Sequence, residues 1–133
     1  MTAYRLAESA TVLGVSEDTI RRWADQGRVR TTTTPSGALA IDGRDLAALA
    51  AERAGVTPGA HPSPATTSAR NRLTGIVTNV VRDTVMAQVE LVCGPYRVVS
   101  LMSREAADSL GLEPGVLADA VVKATTVVVE RAS

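Results

Sequence analysis

The chain has no phenylalanine, one tryptophan and two tyrosines among 133 residues, so aromatics make up 2% of it. With 45% hydrophobic residues overall, its cores have to be built from Val, Leu, Ala and Ile. Small domains with such cores are marginal alone, because they bury a smaller share of their surface, and this favours self-association. A single cysteine, Cys93, excludes an intrachain disulfide and a cysteine-rich zinc site. No signal-peptide pattern is present and no apolar run is long enough to span a membrane, so a cytoplasmic protein is expected. There is no excess of either charge: 14 basic residues face 14 acidic ones. Nucleic-acid binders usually carry a basic excess, so strong non-specific DNA binding is not expected. No acid pair, phosphate loop or Cys–His couple appears, and an enzyme is not expected either. Lysine is nearly absent: Lys123 stands alone against thirteen arginines.

Composition changes sharply near residues 55–69. The stretch from Gly55 to Thr67 has three prolines, two glycines and no charged side chain, and it follows neither a helical nor a strand period. We read 55–67 as an extended linker. The lone histidine, His61, lies in it with no second ligand nearby, as a solvated side chain. The linker separates two domains, 1–54 and 68–133.

Before the linker the pattern is helical. Leu6, Ala7, Ala10 and Leu13 recur at spacings of three and four, as one face of a short helix does, and Gly14 stops it. Ser16 is an N-cap for a second helix, with Glu17 and Asp18 in its first turn and Ile20 and Trp23 on its apolar face. Gly27 breaks that helix. Residues 28–41 read as a β-hairpin around Pro35-Ser36-Gly37, and Asp42 caps a third helix carrying Leu46, Leu49 and Ala50. Helix, tight turn, helix and hairpin form the arrangement of a winged helix-turn-helix, whose second helix enters the major groove. Ser16, Thr19, Arg21 and Arg22 then face DNA, with Arg28 and Arg30 flanking the hairpin. The alternative for Arg21 and Arg22 is a solvated helix face paired with Glu17, Asp18 or Asp25. Leu13-Gly14-Val15-Ser16, Thr19-Ile20-Arg21-Arg22-Trp23 and Gly27-Arg28-Val29 give this segment a resemblance to the MerR-like and excisionase-like helix-turn-helix family. It departs from that family at the wing. Residues 31–40 carry no basic side chain, and threonines add little electrostatic affinity for phosphate.

After the linker the pattern is β. Runs at 72–81, 85–92, 96–102 and 117–130 are rich in Val, Thr and Ile, and Asp83-Thr84 and Gly94-Pro95 interrupt them. Residues 103–110 read as a short helix capped by Ser103 and closed by Gly111. The last run splits at Lys123-Ala124, which gives about five strands. The fold class is therefore α+β in two domains, the second a five-stranded, OB-like Greek-key β-barrel with one short helix. Two polar, cation-bearing segments stand at opposite ends of this domain, Ser68-Ala69-Arg70-Asn71 and Lys123-Ala124-Thr125. A tetrahedral dianion needs several converging donors, and an arginine fork, a lysine and hydroxyls supply them.

With Arg72-Leu73-Thr74-Gly75, Ala87-Gln88-Val89-Glu90-Leu91 and Leu110-Gly111-Leu112-Glu113-Pro114-Gly115 between them, these segments resemble the Mop (TOBE) family of molybdate- and tungstate-binding domains. The resemblance implies an oxyanion site held by Ser68, Arg70, Ser103, Lys123 and the Ala124 backbone N–H, with Asn71 and Thr125 orienting or in support. Ala106 stands where some members of the family carry a second hydroxyl. The resemblance also places sites between protomers of a homo-oligomer, from dimer to hexamer, one subunit supplying Ser68 and Arg70 and another Ser103 and Lys123. The expected function is a molybdate- or tungstate-responsive transcription regulator that binds double-stranded DNA. The rival is a molybdate storage protein whose N-terminal domain serves assembly.

Overall fold

The computed structural model describes residues 2–59 and 67–132. His61 and the middle of the expected linker lie outside these residues. The chain divides into two units, Met1–His61 and Pro62–Ser133.

The first unit runs β1 (Ala3–Arg5), α1 (Leu6–Leu13), α2 (Glu17–Asp25), β2 (Thr31–Thr33), β3 (Leu39–Asp42) and α3 (Gly43–Ala54). Leu6, Ala10, Ile20, Trp23, Val29, Ile41, Leu46 and Leu49 form its core, with Leu13 packed against them. Ala7 is exposed, contrary to the expected helix face, and Ser9 is buried in its place. Positions three and four beyond Leu6 are 9 and 10, so that turn of the helix buries Ser9, whose hydroxyl donates to the Arg5 carbonyl at 3.0 Å. Gly14 ends α1 at φ +68°, a left-handed conformation that glycine adopts without strain. Ser16 caps α2 by accepting the Thr19 N–H at 3.2 Å, and Asp42 caps α3 by accepting the Arg44 N–H at 2.8 Å. Helix α1 is the exception. Its N-cap is Arg5, which makes no side-chain capping bond. It forgoes roughly 1 kcal/mol that Ser, Thr or Asp supplies there, and it sets a cation at the positive end of a helix.

Strands β2 and β3 are the expected hairpin, closed by Gly37 N–H donating to Thr34 O at 2.8 Å. The strand β1 has no counterpart in the sequence reading. It pairs antiparallel with β3, Arg5 opposite Ala40, and gives the sheet order β1-β3-β2. Three residues are too few to show a period of two.

The second unit runs β4 (Asn71–Arg82), β5 (Met86–Cys93), β6 (Tyr96–Ser103), α4 (Arg104–Ser109), β7 (Leu117–Val122) and a 3-10 turn at Ala124–Thr126. The sheet order β6-β5-β4-β7 is a Greek key, the fourth strand returning to lie beside the first. Val77, Val89, Leu91, Cys93 and Leu112 form the core, and burying such a side chain contributes about 1.5–3 kcal/mol. Strand β4 pairs with β7 through its first half and with β5 through its second, with a register shift between Val77 and Asn79. A bulge of this kind sharpens twist and curls a sheet. Gly75 makes the curl possible: a Cβ there would lie 2.4 Å from the Val92 carbonyl oxygen and 2.6 Å from Cys93 Sγ.

Among the described residues the expected fifth strand and the closed barrel do not form. Four strands pair, and β6 and β7 remain as edges. The 3-10 turn ends the ladder with β4, and residues 127–130 pair with no described strand of the same chain. Val127, Val128 and Val129 are 45%, 84% and 87% exposed. Their β-propensity says only that they suit a pleated surface where one is offered. An apolar cavity of about 580 Å³ opens between the two edges, lined from β6 by Val98 and Met102 and from β7 by Ala118, Ala120 and Val122. Among the described residues no helix is long and apolar enough to cross a membrane.

Candidate functional site

One corner of the second unit collects most of the residues singled out for an oxyanion. Asn71 opens β4 and pairs with Val122, the last residue of β7, and its Nδ2 donates to the Val122 carbonyl at 3.1 Å. Continued one step beyond the ladder, the register sets Arg70 opposite Lys123. Two segments 51 residues apart in sequence thus lie side by side. The Arg70 Nη1 donates to the carbonyls of Thr67 and Ala69 at 3.3 and 3.4 Å, which curls that segment, and the Ala69 N–H donates to the Thr67 hydroxyl at 3.2 Å. On the other side, the Lys123 carbonyl accepts the Thr126 N–H and hydroxyl at 3.0 and 2.8 Å, closing the 3-10 turn. Ala124 begins that turn, where the first N–H groups of a helical segment have no partner within it.

Ser68, Arg70, Lys123, Ala124 and Thr125 are all exposed. Neither Arg70 nor Lys123 makes an ion pair with another described residue. The nearest acid along this strand pair is Asp119, which accepts from Thr74 Oγ1 at 2.6 Å and from Arg72 at 2.9 Å. Those two bonds hold its carboxyl below the usual 3.8, the Thr74 hydroxyl first and Arg72 second. Asp119 is therefore charged but neutralised locally, and it leaves the corner net cationic.

Ser103 is not at this corner. It ends β6 opposite Met86, at the start of β5, and this part of β5 borders the far end of β4, where Arg82 pairs with Ala87. Asn71 and Arg82 are the two ends of β4, so at about 3.3 Å per residue Ser103 lies roughly 36 Å from Lys123 as measured along the strands. The sequence reading has one chain supply Ser103 and Lys123 together; within one chain the strand ladders place them toward opposite ends of β4. Because β7 returns antiparallel beside the first half of β4, Lys123 is set beside Arg70 of its own chain, whereas Ser103 follows the ladder at the other end of β4. Its hydroxyl N-caps α4 by accepting the Ala106 N–H at 3.1 Å, which leaves its own proton free to donate. The position taken by Ala106 thus contributes its backbone N–H to that cap. Cys93 is buried at the end of β5, its thiol 3.6 Å from the Leu73 carbonyl. No group of His, Cys, Asp and Glu among the described residues could hold a metal ion.

In the first unit the arginines singled out for DNA differ in freedom. Arg30 is bound to Asp45 by both Nε and Nη2, at 3.0 and 2.9 Å, and its backbone N–H reaches the same carboxylate at 3.0 Å. The pairing raises the arginine and lowers the aspartic acid from their ordinary values. Arg28 bonds Glu52 at 3.4 Å and lies over the Trp23 ring at 4.8 Å, with Arg53 over the same ring at 5.4 Å. These contacts tie the start of the hairpin to α3. Arg21 meets Glu17 at 3.3 Å on the exposed face of α2, an i,i+4 pair of a kind worth only about 0.3–0.5 kcal/mol. Arg22 makes no ion pair among the described residues. Ser16 and Thr19 bond each other through their hydroxyls at 2.9 Å.

Set against known proteins, the second unit belongs to a family: residues 67–129 match the family model of the TOBE domain, and this part of the chain is a TOBE domain. Three solved structures are similar to it. A molybdate-binding protein from Sporomusa ovata is 31% identical, over 50% of this chain and all of its own, with a TM-score of 0.48. MopII from Clostridium pasteurianum is 34% identical over 50% of this chain and all of its own, with a TM-score of 0.47. The cytoplasmic molybdate-binding protein ModG, with molybdate bound, is 43% identical over 47% of this chain and 45% of its own, with a TM-score of 0.43. Among curated proteins, none matches the chain.

Proposed function

We propose that the chain is a cytoplasmic, molybdate- or tungstate-responsive DNA-binding regulator, a binding protein rather than an enzyme. The observation that carries the oxyanion half is the Asn71–Val122 bond, which sets the Arg70 segment beside the Lys123 turn. Arg70 offers a planar fork and Lys123 a compact charge, and Ser68, Thr125 and the Ala124 N–H fill the remaining lone pairs of a tetrahedral dianion. Two of the similar proteins, the one from Sporomusa ovata and ModG, are molybdate-binding proteins. Asn71 serves as the tie that fixes the two segments, since its amide is already engaged.

Ser103 completes the donor set from a second chain. Two open edges, an apolar cavity between them and three exposed valines support such an assembly. An anion shared across an interface stabilises the assembled state by mass action, and the assembly spaces the N-terminal units for paired half-sites on DNA. Titration calorimetry of the full chain with molybdate tests the site. Lys123→Ala removes one charge-assisted bond, worth about 1.5–3 kcal/mol, so its Kd rises roughly 10- to 150-fold; an unchanged Kd refutes the assignment.

A second reading keeps the oxyanion site and drops DNA: the chain stores molybdate and the first unit serves assembly. The ion pairs of Arg28 and Arg30 and the uncharged wing favour it. A gel shift on the upstream region of the protein's own gene, with and without molybdate, separates the two. A shift in either state supports the regulator, and none in both supports storage.

A further inference from the structure

Of the arginines in the first unit, Arg5 has no role in the proposed function so far. It is exposed and makes no ion pair and no side-chain hydrogen bond among the described residues. Pairing of β1 with β3 sets it opposite Ala40, and it lines the same notch as Arg21, sixteen positions downstream. Arg5, Glu17, Arg21, Ala38 and Leu39 together line this notch, of about 310 Å³. The notch therefore lies between the start of α2 and the strand that forms the wing. Nothing in the packing of α1 accounts for an arginine here. The position calls for a short hydrogen-bonding side chain, and the helix end repels a cation. Residues that break a local rule without a structural return mark functional positions.

We propose that Arg5 is a DNA-backbone contact that bridges the second helix and the wing, an inference that rests on the DNA-binding reading of this unit. The first helix of a helix-turn-helix crosses the sugar–phosphate backbone, and Arg5 opens that helix. It supplies the charge that the threonine wing lacks. Being a phosphate contact, it acts alike on every sequence.

The test uses the full chain and duplexes that it enriches from a randomised 25-base-pair pool, titrated by fluorescence anisotropy at several salt concentrations. Arg5→Thr is the informative variant, because threonine is a good N-cap. It raises the melting temperature of the unit by about 4–8 °C, weakens binding about fivefold on every duplex and lowers the salt slope by about 0.9. Arg5→Gln, which removes only the charge, gives the same slope. Unchanged slopes in both variants, with the wild-type chain binding and Arg22→Ala weakened, overturn the assignment of Arg5 and leave the DNA reading standing. A wild-type chain that enriches no duplex, with or without molybdate, overturns both.

Discussion

Replacing Gly75 by alanine isolates the feature that lets one sheet carry both halves of the proposed oxyanion corner. The added Cβ meets the Val92 carbonyl oxygen at 2.4 Å, Cys93 Sγ at 2.6 Å and the Val92 carbonyl carbon at 2.9 Å. Two of the three atoms are backbone. Val92 is locked by the ladder between Ile76 and itself, so relief has to come from unbending β4 against β5. Overpacking of a tight site costs about 1–3 kcal/mol, and a backbone clash belongs in the upper part of that range. The unfolded state of the variant is stiffer, which returns about 0.4–1 kcal/mol. The net loss is about 1–2.5 kcal/mol, a fall of roughly 5–15 °C in the melting temperature of a unit this size. The only tryptophan, Trp23, lies in the core of the other unit, so two probes read the two units apart. Circular dichroism of the sheet records the fall, and tryptophan fluorescence melts where the wild type does. A sheet transition lowered by less than about 2 °C, or a Trp23 transition that falls with it, refutes the argument from the close approach at Gly75.

Three further outcomes rest on other contacts. Ser16→Ala removes the N-cap of α2 and lowers the stability of the first unit by about 1 kcal/mol, read as an earlier Trp23 fluorescence midpoint in urea. The carboxyl of Asp119 is held below its usual 3.8, so the stability it lends is complete above that pH and is lost as pH falls through the lowered value; urea midpoints that fall below pH 3.8 in the wild type and less steeply in Asp119→Asn check this. Val128→Lys places a charge in the exposed valine segment and leaves the chain monomeric by light scattering at concentrations where the wild type assembles, since lysine on a pairing edge blocks further pairing.

The parts of the fold legible in the sequence were those written by local chemistry. Ser16, Asp42 and Ser103 cap the helices that come after them, and Gly14 ends α1 in the left-handed conformation that only glycine adopts freely. The Pro35-Ser36-Gly37 turn sits between β2 and β3 as expected. What could not be read depends on residues far apart in the chain. Arg30 meets Asp45 across 15 positions and Arg28 meets Glu52 across 24, and no periodicity announces either pair. Residues 127–130 read as a fifth strand because valine suits any pleated surface, whereas a ladder depends on where the chain leads them, and they meet no described strand of their own chain. The proposed oxyanion corner is a reading of donor types together with one strand register. Its donor types stood out by composition, but their grouping depends on the direction in which β7 returns.

The separation of Ser103 from Lys123 along the sheet has an arithmetical consequence for the proposed function. When each complete donor set draws on two chains, the number of sets grows with the square of chain concentration until assembly saturates. A cell that doubles the protein then raises its complete sites up to fourfold at the same oxyanion level. Under the proposed function the response to the anion therefore depends on how much of the chain is present as well as on the site itself.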